Sequence, residues 1–198
     1  MSNNINLKPL EKQTDEELIF SFQQGDAAAF DLLVGRYKNQ LMNYVFRFVG
    51  NYDECDDIVQ ETFVRVYYKK HTFKPIAKFS TWIYTIASNL AKTRLRQRDR
   101  QKLFSFFQKQ CPEEEFEIAD KKYDLDRITD AIMVEEIVQN ALTKIPKKYR
   151  EAVVLRDIQD MTYEDIATIL HTNTGTVKSR INRGRALLKE LLTDVTQT

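Results

Sequence analysis

Met161-Thr162-Tyr163-Glu164-Asp165-Ile166-Ala167-Thr168-Ile169-Leu170-His171-Thr172-Asn173-Thr174-Gly175-Thr176-Val177-Lys178-Ser179-Arg180 holds two amphipathic helical patterns separated by a polar turn. Thr162 is placed to cap a short first helix, with Asp165 returning toward its backbone as in a capping box. Ile166, Ala167 and Leu170 fall on one face, and the small Ala167 permits close approach of a second helix. Thr174 stands where it can cap that second helix. Val177, Ile181 and Leu188 then face inward, with Gly184 between them at a cost of about 1 kcal/mol relative to Ala. Thr176, Lys178, Ser179, Arg180, Asn182, Arg183 and Arg185 are left outside. The spacing predicts a helix-turn-helix whose second helix enters a DNA major groove, its first turns on base edges and its cations on phosphates. Paired amphipathic helices are common in helical proteins. Four bases within eight residues of a capped helix are what favour DNA here. His171, near the turn, reads as a surface residue.

Outward from this motif, the whole chain has the composition of an all-α protein. It has 198 residues, 42% hydrophobic and 30% charged, with five glycines and four prolines, too little turn chemistry for a many-stranded sheet. The N-terminus lacks the apolar core of a signal peptide, and no apolar run approaches the ~18 residues of a membrane span. Cys55 and Cys111 lie far apart and match no metal-ligand spacing, so the expected setting is a reducing cytoplasm, with no metal and no cofactor.

Apolar spacing divides the chain further. Leu18 and Phe22 belong to one helix, ended near Gly25, and Asp26 caps a second that carries Phe30, Leu33, Tyr37, Leu41, Tyr44, Val45 and Phe48. Gly50-Asn51 ends it. A third helix from about Asp53 carries Ile58, Val59, Thr62, Phe63, Val66 and Tyr67, and a fourth is expected from about Ser80 to Arg98. Residues 101–130 read as an acidic linker, of which the first part can continue the fourth helix. Helical spacing resumes at Ile132, Val134, Ile137, Val138, Ala141, Leu142 and Ile145, and Pro146 sits just inside the start of another helix. The expected architecture is two small helical domains, residues 1–100 and 131–198, joined by a flexible acidic linker, the second a helix-turn-helix domain.

The formal net charge of +1 conceals strong segregation. Residues 1–64 hold five Lys/Arg against eleven Asp/Glu, and residues 65–109 twelve against one. Residues 110–142 hold three against ten, and residues 143–198 ten against seven. Basic blocks suit a polyanion, because displaced counterions favour binding. Acidic blocks suit a basic protein surface or limit non-specific adhesion to DNA. The most basic block contains Phe79-Ser80-Thr81-Trp82-Ile83-Tyr84-Thr85-Ile86-Ala87-Ser88-Asn89-Leu90-Ala91-Lys92-Thr93-Arg94-Leu95-Arg96, aromatics beside a polar stripe and a basic tail. Single-stranded DNA is held by such chemistry, and an extruded base needs such a pocket. The plainer reading, that Ile83 and Ile86 fill a core, holds for those two residues.

Taken together, Asp56-Asp57-Ile58-Val59-Gln60-Glu61-Thr62-Phe63-Val64-Arg65-Val66-Tyr67, the stretch Phe79–Arg96, and Leu142–Arg185 with Ile145-Pro146 and Tyr149-Arg150 resemble, in that order, the signatures of bacterial RNA polymerase sigma factors of the extracytoplasmic-function (ECF) group. The resemblance covers about residues 15–96 and 135–192. It implies a cytoplasmic initiation subunit that binds core polymerase, at the clamp helices of the largest subunit and at the flap, and recognises promoter DNA. Asp56, Asp57, Gln60, Glu61 and Arg65 would dock on the clamp helices. Lys74, Ala77, Lys78, Phe79, Ser80 and Trp82 would surround a base flipped from the −10 element, with Asn89, Lys92, Thr93 and Arg96 along the adjoining single strand. The helix from Thr174 would read the double-stranded −35 element, and an anti-sigma protein would hold the factor inactive. The loop Lys74-Pro75-Ile76-Ala77-Lys78 departs from the family in carrying neither acid nor glycine.

Two other classes fit less well. Asp53, Glu54, Asp56, Asp57 and Glu61 could be imagined as metal ligands of an enzyme, but no second cluster complements them, and the chain has two histidines and no Gly-rich phosphate loop. A DNA-binding regulator that ignores polymerase would explain the C-terminal motif and leave the Trp82–Arg96 segment and the acidic helix without a purpose.

Overall fold

Helix caps explain most of the boundaries in the computed structural model, which describes residues 9–108 and 130–196. The first helix, α1 (Asp15–Gln23), opens on a capping box: the Thr14 hydroxyl accepts from Glu17 N–H while the Glu17 carboxylate accepts from Thr14 N–H. Asp26 caps α2 (Ala27–Val49), and Asn51 caps α3 (Tyr52–Lys69). Gly50 lies between them at φ 75°, a left-handed turn that costs glycine little. The next helix, α4 (Phe79–Gln108), runs ten residues past the expected end at Arg98. Residues 99–108 contain neither Gly nor Pro, so nothing in the backbone stops the helix there. The acidic linker lies, from 109 to 129, outside the described residues, and so does Cys111.

The second half comprises α5 (Asp130–Lys144), α6 (Lys147–Val153), α7 (Tyr163–Ile169) and α8 (Thr174–Thr196). Pro146 precedes α6 as its cap residue, one position outside the helix instead of inside it. Residues Val154–Ile158 widen into a π turn, in which Gln159 N–H reaches the Val154 carbonyl five residues back at 3.1 Å. Asn173, not Thr174, caps α8: its Oδ1 accepts from Thr176 N–H at 2.7 Å. His171 occupies the turn between α7 and α8 at φ 49°, exposed as expected. Among the described residues there is no strand.

Helices α1–α4 form one lobe and α5–α8 a second. One apolar core runs through both, from Leu18, Leu33, Leu41 and Ile83 to Leu142, Leu155, Ile166 and Ile181. Each fully buried residue of this size contributes about 1.5–3 kcal/mol. The lobes therefore pack together, α7 against α4 and α5 and α6 against α2. Val134, expected inside, is 59% exposed at the outer end of α5. Gly184 has a packing reason. A Cβ there would lie 2.6 Å from Val153 Cγ2 and 3.2 Å from the Tyr149 carbonyl oxygen, so the close crossing of α6 and α8 offsets the lower helix propensity.

Candidate nucleic-acid and polymerase interface

Three surfaces carry the expected site residues. The first lies on α3, whose inner face buries Cys55, Ile58, Val59, Thr62, Phe63 and Val66 against the first lobe. A helical period then sends Asp56, Asp57, Gln60 and Glu61 outward, all exposed, with Arg65 half-buried. Gln60 donates to Asp56 at 2.5 Å, Arg65 to Glu61 at 2.8 Å, and Arg94 reaches Asp57 at 3.3 Å. Val64 and Tyr68, which the sequence pattern does not single out, stand in the same outward rows, 46% and 80% exposed. Apolar groups this open beside mixed charges suit a protein partner.

The second surface is the loop from Lys74 to Lys78 with the start of α4. Its ends are pinned. Gln23 Nε2 donates to the carbonyls of Lys70 and Phe73 at 2.7 and 3.3 Å, and the Glu16 carboxylate accepts from Phe79 N–H at 2.9 Å. Between these anchors Lys74, Pro75, Ile76, Ala77 and Lys78 are all exposed. Trp82 is half-buried and tilted against Phe73 and Phe79, ring centroids 5.4 and 6.0 Å away. Ser80 is half-buried. Phe79 departs from its expected place: its ring is fully buried, edge-on to Tyr37 at 5.2 Å, so it supports the loop from beneath and offers DNA no surface. Farther along α4, Asn89, Thr93 and Arg96 are exposed and Lys92 is half-buried, one helical stripe continuing from the loop.

The third surface is the outer face of α8. Val177 and Ile181 are buried, which turns Lys178, Ser179, Asn182, Arg183 and Arg185 outward, with Thr174, Thr176 and Arg180 half-buried. Thr176, Ser179, Arg180 and Arg183 line a shallow groove with Lys148, Tyr149, Asn173 and Gly175. Lys148 and Tyr149 were not among the expected contacts. The Arg183 guanidinium lies 3.5 Å from the Tyr149 hydroxyl and holds that phenol below its ordinary pKa. Arg185 is held by Asp157, its Nε 2.9 Å from the carboxylate, leaving Lys178, Arg180 and Arg183 as the cations nearest the first turns. Arg180 also borders a second groove, shared with Phe48, Lys92, Leu95, Arg96, Lys147 and Glu151, so the basic surfaces of the two lobes adjoin.

Between the lobes lies a set of polar contacts that the sequence did not reveal. Glu151, 3% exposed, accepts from Ser88 at 2.5 Å and Tyr44 at 3.2 Å and pairs with Lys92 at 3.0 Å. Burial outweighs these partners and pushes its pKa up. The Asp165 carboxylate does not close the expected capping box on the Thr162 backbone. It accepts from the Thr162 hydroxyl at 2.7 Å, from Lys78 at 2.8 Å and from Thr81 at 2.9 Å. Burial opposes its ionisation, yet those donors together hold its pKa below the usual value. Tyr84 donates to Gln159 at 2.6 Å. Arg150 donates to the Phe48 carbonyl at 2.9 Å in the last turn of α2, and Gln139 at 3.1 Å to that of Phe46, which also accepts from Gly50 N–H.

The described residues contain no group of three or more His, Cys, Asp or Glu able to hold a metal ion, and no helix long and apolar enough to cross a membrane. The acids of α3 thus gather no ligand set.

Comparison with known proteins assigns these surfaces a family. The Sigma-70 region 2 model matches residues 33–101, and the Sigma-70 region 4 model matches residues 135–188. The RNA polymerase sigma-H factor of Pseudomonas aeruginosa is 34% identical over 92% of this chain and 96% of its own. The ECF RNA polymerase sigma factor SigW of Bacillus subtilis is 34% identical over 87% of this chain and 94% of its own. Among solved structures, CnrH in complex with the cytosolic domain of CnrY superimposes at TM-score 0.67 with 26% identity, covering 92% of this chain and 99% of that one. The sigma factor RpoE of Bartonella quintana, in complex with the anti-sigma factor NepR, gives TM-score 0.65 at 26% identity, covering 83% and 96%. The chain belongs to the sigma-70 family, in its extracytoplasmic-function group, and is a transcription-initiation factor of RNA polymerase, not an enzyme.

Proposed function

We propose that the three surfaces divide the work of initiation, with residues 1–100 docking and melting, residues 101–130 linking, and residues 131–198 reading duplex DNA. The outer face of α3, through Asp56, Asp57, Gln60, Glu61 and Arg65, binds the clamp helices of core polymerase in the cytoplasm, while the second lobe meets the flap. Lys74, Ala77, Lys78, Ser80 and Trp82 take a base flipped from the −10 element, and Asn89, Lys92, Thr93 and Arg96 follow its single strand. Thr174, Thr176, Lys178, Ser179, Arg180, Asn182 and Arg183 read the −35 element. The likeness to a sigma factor solved with an anti-sigma factor supports regulation by such a partner.

One observation carries this reading: the basic and aromatic loop–α4 surface and the basic face of α8 lie on different lobes, the first with Lys74, Ala77, Asn89, Thr93 and Arg96 exposed, the second with Lys178, Ser179, Asn182 and Arg183 exposed. Aromatics with cations suit an unstacked single strand. A capped helix with exposed cations in its first turns suits the major groove. The experiment is promoter opening by reconstituted holoenzyme, followed by 2-aminopurine fluorescence in the −10 element. K92A/R96A should reduce the opened fraction about tenfold, as expected when two cations no longer reach the DNA backbone, with little change in binding to a −35 duplex. Full opening by that variant would remove the −10 assignment.

A further inference from the structure

The groove where the two basic surfaces adjoin is a cleft of about 370 Å³, within the size range of small-molecule sites. Phe48 on α2 and Leu95 on α4, each 1% exposed, give it an apolar floor. Cations from three helices stand around that floor: Lys92 and Arg96 on α4, Lys147 and Lys148 on α6, and Arg180 on α8. Two of them are already paired, Lys92 with Glu151 and Lys147 with Asp99. Arg96, Lys148 and Arg180 meet no carboxylate among the described residues. Like charges gathered around a concave, partly apolar surface raise the local positive potential and draw an anion, here one that carries several charges. The cleft also holds an acceptor. Ser88, Tyr44 and Lys92 all reach Oε1 of Glu151, and Oε2 takes none of them. A bare phosphate chain offers a carboxylate nothing, whereas the amino group of a base or a ribose hydroxyl donates to one.

We propose that this cleft is a binding site for a nucleoside polyphosphate. The base and sugar enter against Phe48 and Leu95 and donate to Glu151, while the phosphates lie at the rim on Arg96, Lys148 and Arg180. Apolar floor, acceptor and cations come together only where α4 of the first lobe meets α6 and α8 of the second, so neither lobe holds the site alone. The site goes beyond the assignment of Arg96 and Arg180 to promoter DNA, and its test needs no DNA.

Calorimetric titration of the free full-length chain with ATP, inorganic tripolyphosphate and adenosine, each separately, tests the site. ATP should bind one to one. Tripolyphosphate should bind about tenfold more weakly and adenosine more weakly still, because each makes only part of the contacts. K148E should weaken ATP about tenfold by turning an attraction at the rim into a repulsion. Lys148 is exposed and has no ion pair, so this variant should fold. K189E makes the same change of charge at an exposed position nine residues beyond Arg180 on α8, about 13 Å along the helix and past the ~8 Å screening length. It should leave ATP affinity within about twofold of wild type. The midpoint of thermal unfolding should rise with ATP, and rise less in K148E, as a second reading of the same equilibrium. No saturable binding of ATP would overturn the site. So would an equal loss in K148E and K189E, the mark of general attraction to a basic surface. Tripolyphosphate binding as tightly as ATP would overturn the place given to the base and sugar.

Discussion

Alanine at both Arg180 and Arg183 should cost the holoenzyme about a hundredfold or more in affinity for promoter DNA with an intact −35 element. The two guanidinium groups sit one turn apart at the start of α8, Arg183 exposed beside Tyr149 and Arg180 at the junction of two basic grooves. A base-edge contact is worth about 1–3 kcal/mol of discrimination, and removing a cation from a phosphate also lowers the salt slope by about one. The substitutions leave Val177 and Ile181 in the core, so folding should change little. Fluorescence anisotropy on a −35 duplex across a salt series measures both effects. Binding to core polymerase should be unaffected. If core binding fails and the duplex affinity stays, the polymerase and DNA faces have been exchanged in this account.

Reversing charge on α3 should have an effect as large on the other partner. Asp57 and Glu61 are exposed and each meets one arginine, Arg94 at 3.3 Å and Arg65 at 2.8 Å. Exposed pairs of this kind contribute about 0–1 kcal/mol to stability, so D57K/E61K should fold. Placing two ammonium groups where a partner expects carboxylates costs several kcal/mol, through like-charge repulsion and the absence of the former pairing. Affinity for core polymerase, measured by competition with a labelled wild-type chain, should therefore fall more than a hundredfold. The affinity of the free variant for a −35 duplex should not fall. Unchanged core binding would place the docking surface elsewhere than α3.

How far the sequence anticipated the structure depended on the range of the interactions involved. Helix boundaries at Asp26, Gly50 and Asn51 were readable because caps act within four residues, and the inward faces of α3, α7 and α8 because a 3.6-residue period records one buried side. Errors at that range were small: Asn173 and Thr174 are both good caps, and the chain used the first. The end of α4 was set near Arg98, with continuation into the linker allowed, because residues 99–108 carry no stop signal, only polar groups, Leu103 and aromatics that suit a helix or a loop equally. Phe79 was harder. An aromatic beside a basic loop looks the same whether it faces a base or the core, and only Tyr37, forty-two positions earlier, decides for the core. The interlobe contacts could not be read at all. Glu151 meets Tyr44, Ser88 and Lys92, 107, 63 and 59 positions away, and no local pattern encodes such a meeting. The one trace was an Arg150-Glu151 pair leading directly into Ala152, Val153 and Val154, two charges on a face otherwise apolar enough to be buried.

The two lobes share a core and yet keep much of their basic faces in solvent. The apolar contact is made by the inner faces of α2, α4, α6 and α7, while Arg96, Lys178 and Arg183 stay exposed. Two basic surfaces, one on each lobe, remain exposed.

Run-off transcription from a promoter isolated from bound genomic DNA, with core polymerase and the wild-type chain, tests this division most directly. Transcript should appear well above that of core enzyme alone, and scrambling either the −10 or the −35 element should abolish it, because neither grip suffices without the other. Transcription that survives the loss of one element, or none above core alone, would contradict the account.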